Sequence, residues 1–257
     1  MKIARARKGN EEFYCIVESS TVIRLSGGLE QIFDNTYQTL NTYHKSEVEF
    51  LAPCMPSKIV CVGKNYSEHA KEMNEGEPAE PLLFLKPNTC IIGDGCEIEY
   101  PSISKRVDYE GELGVVIGAV CKKVGEAEAL DYVLGYTCLN DVTARDIQKS
   151  DMQWTRGKSF DTFCPIGPFI ETELKPDRLQ IVTRLNGEIK QKSNTAHMTH
   201  SVKKLISYIS QVMTLLPGDI IATGTPEGIG AMQAGDEVEV EIEGIGILRN
   251  RVVIINS

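Results

Sequence analysis

The sequence lacks a basic excess, a long apolar run and any zinc-like cysteine spacing, and each absence removes a class of function. Its 27 Lys and Arg against 36 Asp and Glu leave a net charge of -9, which repels polyanions. The pairs Lys122-Lys123 and Lys203-Lys204 are isolated, and no basic, aromatic-rich stripe marks a nucleic-acid binder. No segment approaches the roughly 18 apolar residues of a membrane span, and the charged start Met1 to Lys8 has no apolar signal core behind it. A soluble, cytoplasmic protein without membrane or nucleic-acid partners is expected. The eight cysteines, Cys15, Cys54, Cys61, Cys90, Cys96, Cys121, Cys138 and Cys164, form no CxxC. Several lie in apolar runs, where reduced thiols behave as small hydrophobes and fit a reducing compartment. Gly224, Gly228 and Gly230 do not compose the GxGxxG of a dinucleotide site.

What is present is a strand-heavy chain of 257 residues, 42% of them apolar, enough to bury a full core. Residues 2–8 and 12–18 alternate like a hairpin, 21–25 adds a strand, and 28–42 is mixed with room for a short helix. Pro53 and Pro56 then punctuate the chain, dividing a small N-terminal β-rich domain (1–55) from the main domain (56–257). Further strands are expected at 58–62, 82–86, 106–118, 132–141, 168–171, 219–222, 236–242 and 246–255. Asn186-Gly187 predicts a hairpin turn between 180–185 and 188–193. Helices are expected from Ser67 to Met73 and from Ser201 to Met213, the second with Val202, Leu205, Ile206, Ile209, Val212 and Met213 at helical spacing. The fold class is therefore α+β and strand-rich, not doubly wound.

The run from Arg106 to Ile117 places Asp108, Glu110 and Glu112 two residues apart directly before Leu113, Val115, Val116 and Ile117. On one strand the three acids share a face. Carried toward a core, they must take up protons, meet cations or bind a metal, and all-oxygen ligands suit Mg2+, Mn2+ or Ca2+ better than zinc. Spacing alone carries little weight, since acids two apart recur about five times by chance in such a composition. Asp236 to Glu243 also alternates strictly, and is read as a strand with its acids in water. Only 108–112 runs into an apolar segment.

Two further constellations carry chemistry. His69 and Glu72, three apart on a helical turn, form a pair in which the carboxylate orients the imidazole as a general base; the bland alternative is a surface ion pair. The polar stretch Met73 to Pro81 beside it suggests a lid. Asp141 ends an apolar strand, where a metal ligand or a helix cap belongs; Arg145 and Gln148 share a face of the turn that follows. Lys158, after Gly157, is either a solvated loop residue or a fixed positive charge for an anionic substrate or enolate. His44, His197 and His200 are read as exposed or as loop and cap residues.

Together VGKNYSEH (62–69), FLKP (84–87), KRVDYEGELGVVIG (105–118), GYTCLNDVTARDIQ (135–148), QWTRGKSFDTFCPIGP (153–168) and ATGTPEGIG (222–230) closely resemble the fumarylacetoacetate hydrolase family. The resemblance spans about residues 56–255. It implies a mixed β-sandwich roll with a small N-terminal domain, a homodimer, and Mg2+ or Mn2+ held by Glu110, Glu112 and Asp141. It also implies His69 and Glu72 as the water-activating pair, Lys158 as the catalytic lysine, Arg145, Gln148 and Thr225 as substrate contacts, and Asp108 supporting the site from behind. The implied substrate is a small anionic 2-oxo acid. The reaction favoured is hydrolysis of a carbon-carbon bond of an acylpyruvate; oxaloacetate decarboxylation and isomerisation or decarboxylation of 2-hydroxyhepta-2,4-diene-1,7-dioate are the alternatives. A non-enzymatic metal-stabilised binding protein would explain the three acids but leave His69, Glu72 and Lys158 without a role.

Overall fold

A computed structural model describes residues 1–72 and 78–255. Ten strands run in one twisted path within a 12-stranded sheet: Thr39–His44, Thr21–Leu25, Glu11–Val17, Lys2–Lys8, Cys164–Glu171, Val133–Asn140, Gly111–Ile117, Ile220–Ala222, Ile59–Gly63 and Leu82–Lys86. A five-stranded sheet (Glu188–Asn194, Gln180–Leu185, Glu237–Ile242, Gly246–Val253, Glu97–Glu99) faces it, and a three-stranded sheet (Thr143–Ala144, Val107–Tyr109, Gly230–Met232) completes the roll. The N-terminal strands have a cluster of their own, centred on Ala4, Ala6, Phe13, Cys15 and Val22. They nevertheless continue the main sheet, because Lys2 and Ile3 pair with Glu171 and Ile170.

The core of the main domain forms where apolar runs lie between layers. Gly111–Ile117 is buried at every position, as expected of a strand covered on both faces. The strand Glu237–Ile242 instead buries Val238, Val240 and Ile242 and leaves its glutamates at least partly solvated, as its alternation predicts. The Asn186-Gly187 turn connects Gln180–Leu185 to Glu188–Asn194 with both residues at positive φ, the requirement of a type I′ turn. Helix Val202–Val212 is capped by the Ser201 hydroxyl, which accepts from the Lys204 N–H, and buries Val202, Leu205, Ile206 and Ile209. Val212 is exposed at its end and Met213 lies past it, so the buried stripe is shorter than the spacing predicts.

The largest departure is at 106–118. That segment is two strands, Val107–Tyr109 and Gly111–Ile117, which belong to different sheets. The chain turns at Glu110 because Val107–Tyr109 pairs with Thr143–Ala144 and Gly230–Met232, whereas Gly111–Ile117 pairs with Val133–Asn140 and Ile220–Ala222. Asp108 therefore does not share a continuous strand face with Glu110 and Glu112. Helix Ser67–Glu72 forms as expected; Met73 and the first half of the expected lid lie outside the described residues. Its end is anchored, with Glu80 accepting from the Tyr208 hydroxyl at 3.2 Å.

Candidate active site

Glu110 sits at the bend and Glu112 one residue into the central strand, while Asp141 follows the end of the neighbouring strand Val133–Asn140. Register brings them together: Gly111 pairs with Asn140, and the Asp141 N–H donates to the Glu110 carbonyl at 2.9 Å. One carboxylate oxygen from each of Glu110, Glu112 and Asp141 lies within 4.8 Å of the others, and all three side chains are buried.

Three buried cations answer these charges. Lys158 donates to Glu110 Oε2 at 2.8 Å and to Asp141 Oδ2 at 2.6 Å. It is carried on the short helix Thr155–Lys158, which lies so close to the helix Arg145–Ser150 that a Cβ on Gly157 would stand 2.8 Å from the Gln148 nitrogen. Only glycine permits that approach. Lys86, at the end of Leu82–Lys86, donates to Asp141 Oδ1 at 2.5 Å and to the Val142 carbonyl at 3.1 Å. Arg145 pairs with Glu110 through Nη2 and with Asp108 through Nε at 2.9 Å, while its Nη1 donates to Gln148 Oε1 at 2.6 Å. Among the described residues no hydrogen bond uses the Gln148 NH2, the donor it can offer a ligand.

These pairings set the ionisation of the acids. Burial works against the Glu110 carboxylate, but the Lys158 and Arg145 charges outweigh it and hold the group well below its usual range. Lys86 is likewise held above the usual lysine range, the Asp141 carboxylate outweighing burial. Glu112 is different. Among the described residues it has no cationic partner, only the Gly224 N–H at 2.7 Å, and burial together with Asp141 and Glu110 pushes its carboxyl well above the usual range. A buried carboxyl without a counter-charge, facing two others, fits one more cation. The donor set is all oxygen, as Mg2+ and Mn2+ prefer.

A cavity of about 380 Å³ opens beside these acids. His69, Glu72, Glu110, Glu112, Asp141, Arg145, Gln148, Lys158 and Thr225 all line it; Asp108 does not. Asp108 lies behind, fully buried between Arg106 and Arg145. His69 Nδ1 is 3.2 Å from Glu72 Oε2, and both Glu72 oxygens accept from the Gly228 N–H at 3.2 Å. With Nδ1 tied to the carboxylate, Nε2 is the nitrogen left to act as base. The Thr225 hydroxyl is committed: it donates to the Gly111 carbonyl at 2.9 Å and accepts from Gln191 Nε2 at 2.8 Å. Lys158 and Arg145 are thus buried charges paired with the acids, and Lys158 is not a solvated loop residue.

Sequence reasoning assigned no role to Lys86, Phe84, Trp154 or Gln191. Phe84 and Trp154 form an edge-on aromatic pair at 5.3 Å in the cavity wall. Lys86 has a visible signal, a lysine closing the apolar run Leu82 to Leu85. Gln191 has none, since its strand Glu188–Asn194 is polar at every position but Ile189.

A strand-rich roll with three buried carboxylates, a base pair and fixed cations around one cavity defines a candidate metal-dependent active site. The chain belongs to the fumarylacetoacetate hydrolase family: residues 58–253 match the model "Fumarylacetoacetate (FAA) hydrolase C-terminal", and residues 1–53 match "Rv2993c-like, N-terminal". A Bos taurus relative, mitochondrial oxaloacetate tautomerase FAHD2A, is 46% identical over 222 residues, covering 81% of this chain and 71% of its own. The crystal structure of 5-carboxymethyl-2-hydroxymuconate delta-isomerase from Mycobacterium smegmatis is 41% identical with a TM-score of 0.93, covering 99% of this chain and all of its own. Fumarylpyruvate hydrolase from Pseudomonas aeruginosa, solved with Mn2+ and pyruvate, is 34% identical with a TM-score of 0.75, covering 80% of this chain and 92% of its own. Among the described residues no helix is long and apolar enough to cross a membrane.

Proposed function

We propose that this chain is a divalent-metal-dependent enzyme acting on 2-oxo acids, hydrolysing a carbon-carbon bond of an acylpyruvate-type substrate by way of an enolate. The observation that carries the reading is that His69, its Nδ1 held by Glu72, faces the same cavity as Glu110, Glu112 and Asp141. Those three carboxylates would hold Mg2+ or Mn2+; Ca2+ is compatible with the same oxygens. When bound, the ion supplies positive charge at the 2-oxo oxygen, where the negative charge of an enolate develops.

The remaining steps belong to the chain's own residues. Gln148, through its NH2, and the N–H groups of Arg145 not used by Asp108, Glu110 and Gln148 orient the substrate's oxygens. His69 Nε2 takes a proton from water, and the resulting hydroxide adds to the distal carbonyl. The bond between that carbon and C3 breaks, its electron pair becoming the pyruvate enolate and the distal fragment leaving as a carboxylic acid. Lys158 keeps a fixed charge beside the developing anion, and His69 returns the proton to C3. Asp108 acts from behind by holding Arg145. The same resemblance supports a homodimer working on a small anionic 2-oxo acid, while the net charge of -9 and the lack of long apolar runs support a cytoplasmic protein with neither nucleic-acid nor membrane partners. Sedimentation at micromolar concentration tests this assembly, and a monomer would refute it.

A second reading stops at proton transfer: His69 removes the C3 proton of an oxaloacetate-like acid, and tautomerisation or isomerisation results without an attacking water. It is favoured by the activities for which the tautomerase and isomerase relatives are named. Products formed from acetylpyruvate, oxaloacetate and a hydroxyheptadienedioate separate the two. On the hydrolytic reading His69→Ala abolishes acetylpyruvate cleavage and leaves Mn2+ binding intact. Enol-keto exchange of oxaloacetate with acetylpyruvate left uncut would replace hydrolysis by the second reading.

A further inference from the structure

We propose that Gln191 is a positioning residue for this site, although it does not line the cavity; the inference rests on the metal-site reading above. Its side chain is buried, from the strand Glu188–Asn194 of the five-stranded sheet, and it bonds to both segments that bear the site. Its Oε1 accepts from the Gly111 N–H at 3.0 Å. Its Nε2 donates to Thr225 Oγ1 and to the Pro226 carbonyl, each at 2.8 Å. The Thr225 hydroxyl closes the ring by donating to the Gly111 carbonyl at 2.9 Å.

Both polar groups of Gly111 are therefore pinned, and Gly111 stands between two of the three clustered acids. The carboxylates of Glu110 and Glu112 diverge from a backbone whose position one amide fixes against the 223–228 loop. That loop also uses its own N–H groups on the site: Gly224 donates to Glu112 and Gly228 to Glu72. The strand carrying Gln191 presses on the loop at Gly228, where a Cβ would meet the Lys190 carbonyl at 2.2 Å and Gln191 Cγ at 3.5 Å. One neutral side chain thus sets the spacing between the acid cluster and the loop that steadies the His69–Glu72 pair. An amide is the side-chain group that supplies one acceptor and two donors at once, and all three are used here.

The test uses Gln191→Met and Gln191→Glu in the full chain, with Ile181→Val in the same sheet as a control for lost stability. Met removes all three bonds. Glu keeps the acceptor for Gly111 and the side-chain volume, so it retains the fold should Met fail to, but sets an oxygen against the Pro226 carbonyl. Calorimetric titration with Mn2+ alone should show about tenfold weaker binding in both Gln191 variants, the lower end of what partners behind metal ligands cost. kcat should fall with KM little changed, and Ile181→Val should move neither. Mn2+ affinity and kcat equal to wild type in the Gln191 variants, with only the melting temperature lowered as in Ile181→Val, would overturn the proposal. The site reading is checked separately: wild type binds Mn2+ and Glu112→Gln does not. If wild type fails to bind, that reading falls and this one with it.

Discussion

Lys158→Met removes a charge that the three-acid cluster leans on, and its effects should differ in sign. The Lys158 ammonium touches Glu110 Oε2 at 2.8 Å and Asp141 Oδ2 at 2.6 Å in a buried setting. Breaking a buried ion pair from one side costs about 3 to 5 kcal/mol. Here each acid keeps a second cation, Arg145 for Glu110 and Lys86 for Asp141, so the lower end applies. A loss of about 3 kcal/mol in a chain of this size lowers the melting temperature by roughly 6 to 12 °C. Removing a pre-placed charge from a developing anion costs about 3 to 4 kcal/mol of barrier, a fall in kcat of about 100- to 1,000-fold. Mn2+ affinity should move the other way: with one competing cation gone from the same oxygens, the ion binds more tightly. Thermal melts with and without Mn2+, calorimetry and steady-state turnover of acetylpyruvate and oxaloacetate measure all three. Mn2+ should recover most of the lost melting temperature in the variant. Weaker Mn2+ binding together with retained turnover would refute the assignment of Lys158 to the acid cluster and to the chemistry.

Other consequences follow from the same contacts. Wild type should gain about 2.7 kcal/mol of stability at Mn2+ a hundredfold above its Kd, and Glu112→Gln should lose that gain in a thermal-shift assay. Gly111→Ala should cost about 1 to 3 kcal/mol and weaken Mn2+ binding, because the added Cβ would stand 2.1 Å from Thr183 Oγ1; denaturant melts and calorimetry check both. Burial pushes the thiols of Cys15, Cys54 and Cys138 up to about 12 from 9.0. The folded chain keeps these protons where the unfolded chain loses them, so stability is intact below pH 9 and falls as pH rises from 9 toward 12. Each thiol costs about 1.4 kcal/mol at pH 10, and urea melts from pH 7 to 10 should show the decline. In the native state at pH 8 a thiol reagent should modify Cys96 alone quickly, since the other seven cysteines are buried; rapid reaction of more than one would contradict this packing.

Local pattern determined much of this protein. Period-two alternation located the strand at 237–242, Asn186-Gly187 located a hairpin, and the Ser201 cap with its apolar spacing located the helix Val202–Val212, because each depends on neighbours within a few residues. The acids at 110 and 112 were legible because charge running into an apolar strand signals an environment that must compensate it, whereas Asp141 and the His69–Glu72 pair were singled out from their ordinary alternatives through the family motifs around them. Tertiary structure decided the rest. Two flanking ladders, from residues near 143, 231, 137 and 221, bend the chain at Glu110 and move Asp108 behind Arg145. The N-terminal strands extend the main sheet only because Lys2 and Ile3 meet a strand about 168 residues later in the chain. Lys86 reaches Asp141 across 55 residues and Gln191 reaches Gly111 across 80. No local periodicity encodes such meetings, because partners for buried polar groups are chosen by how sheets stack and not by what precedes them in the chain.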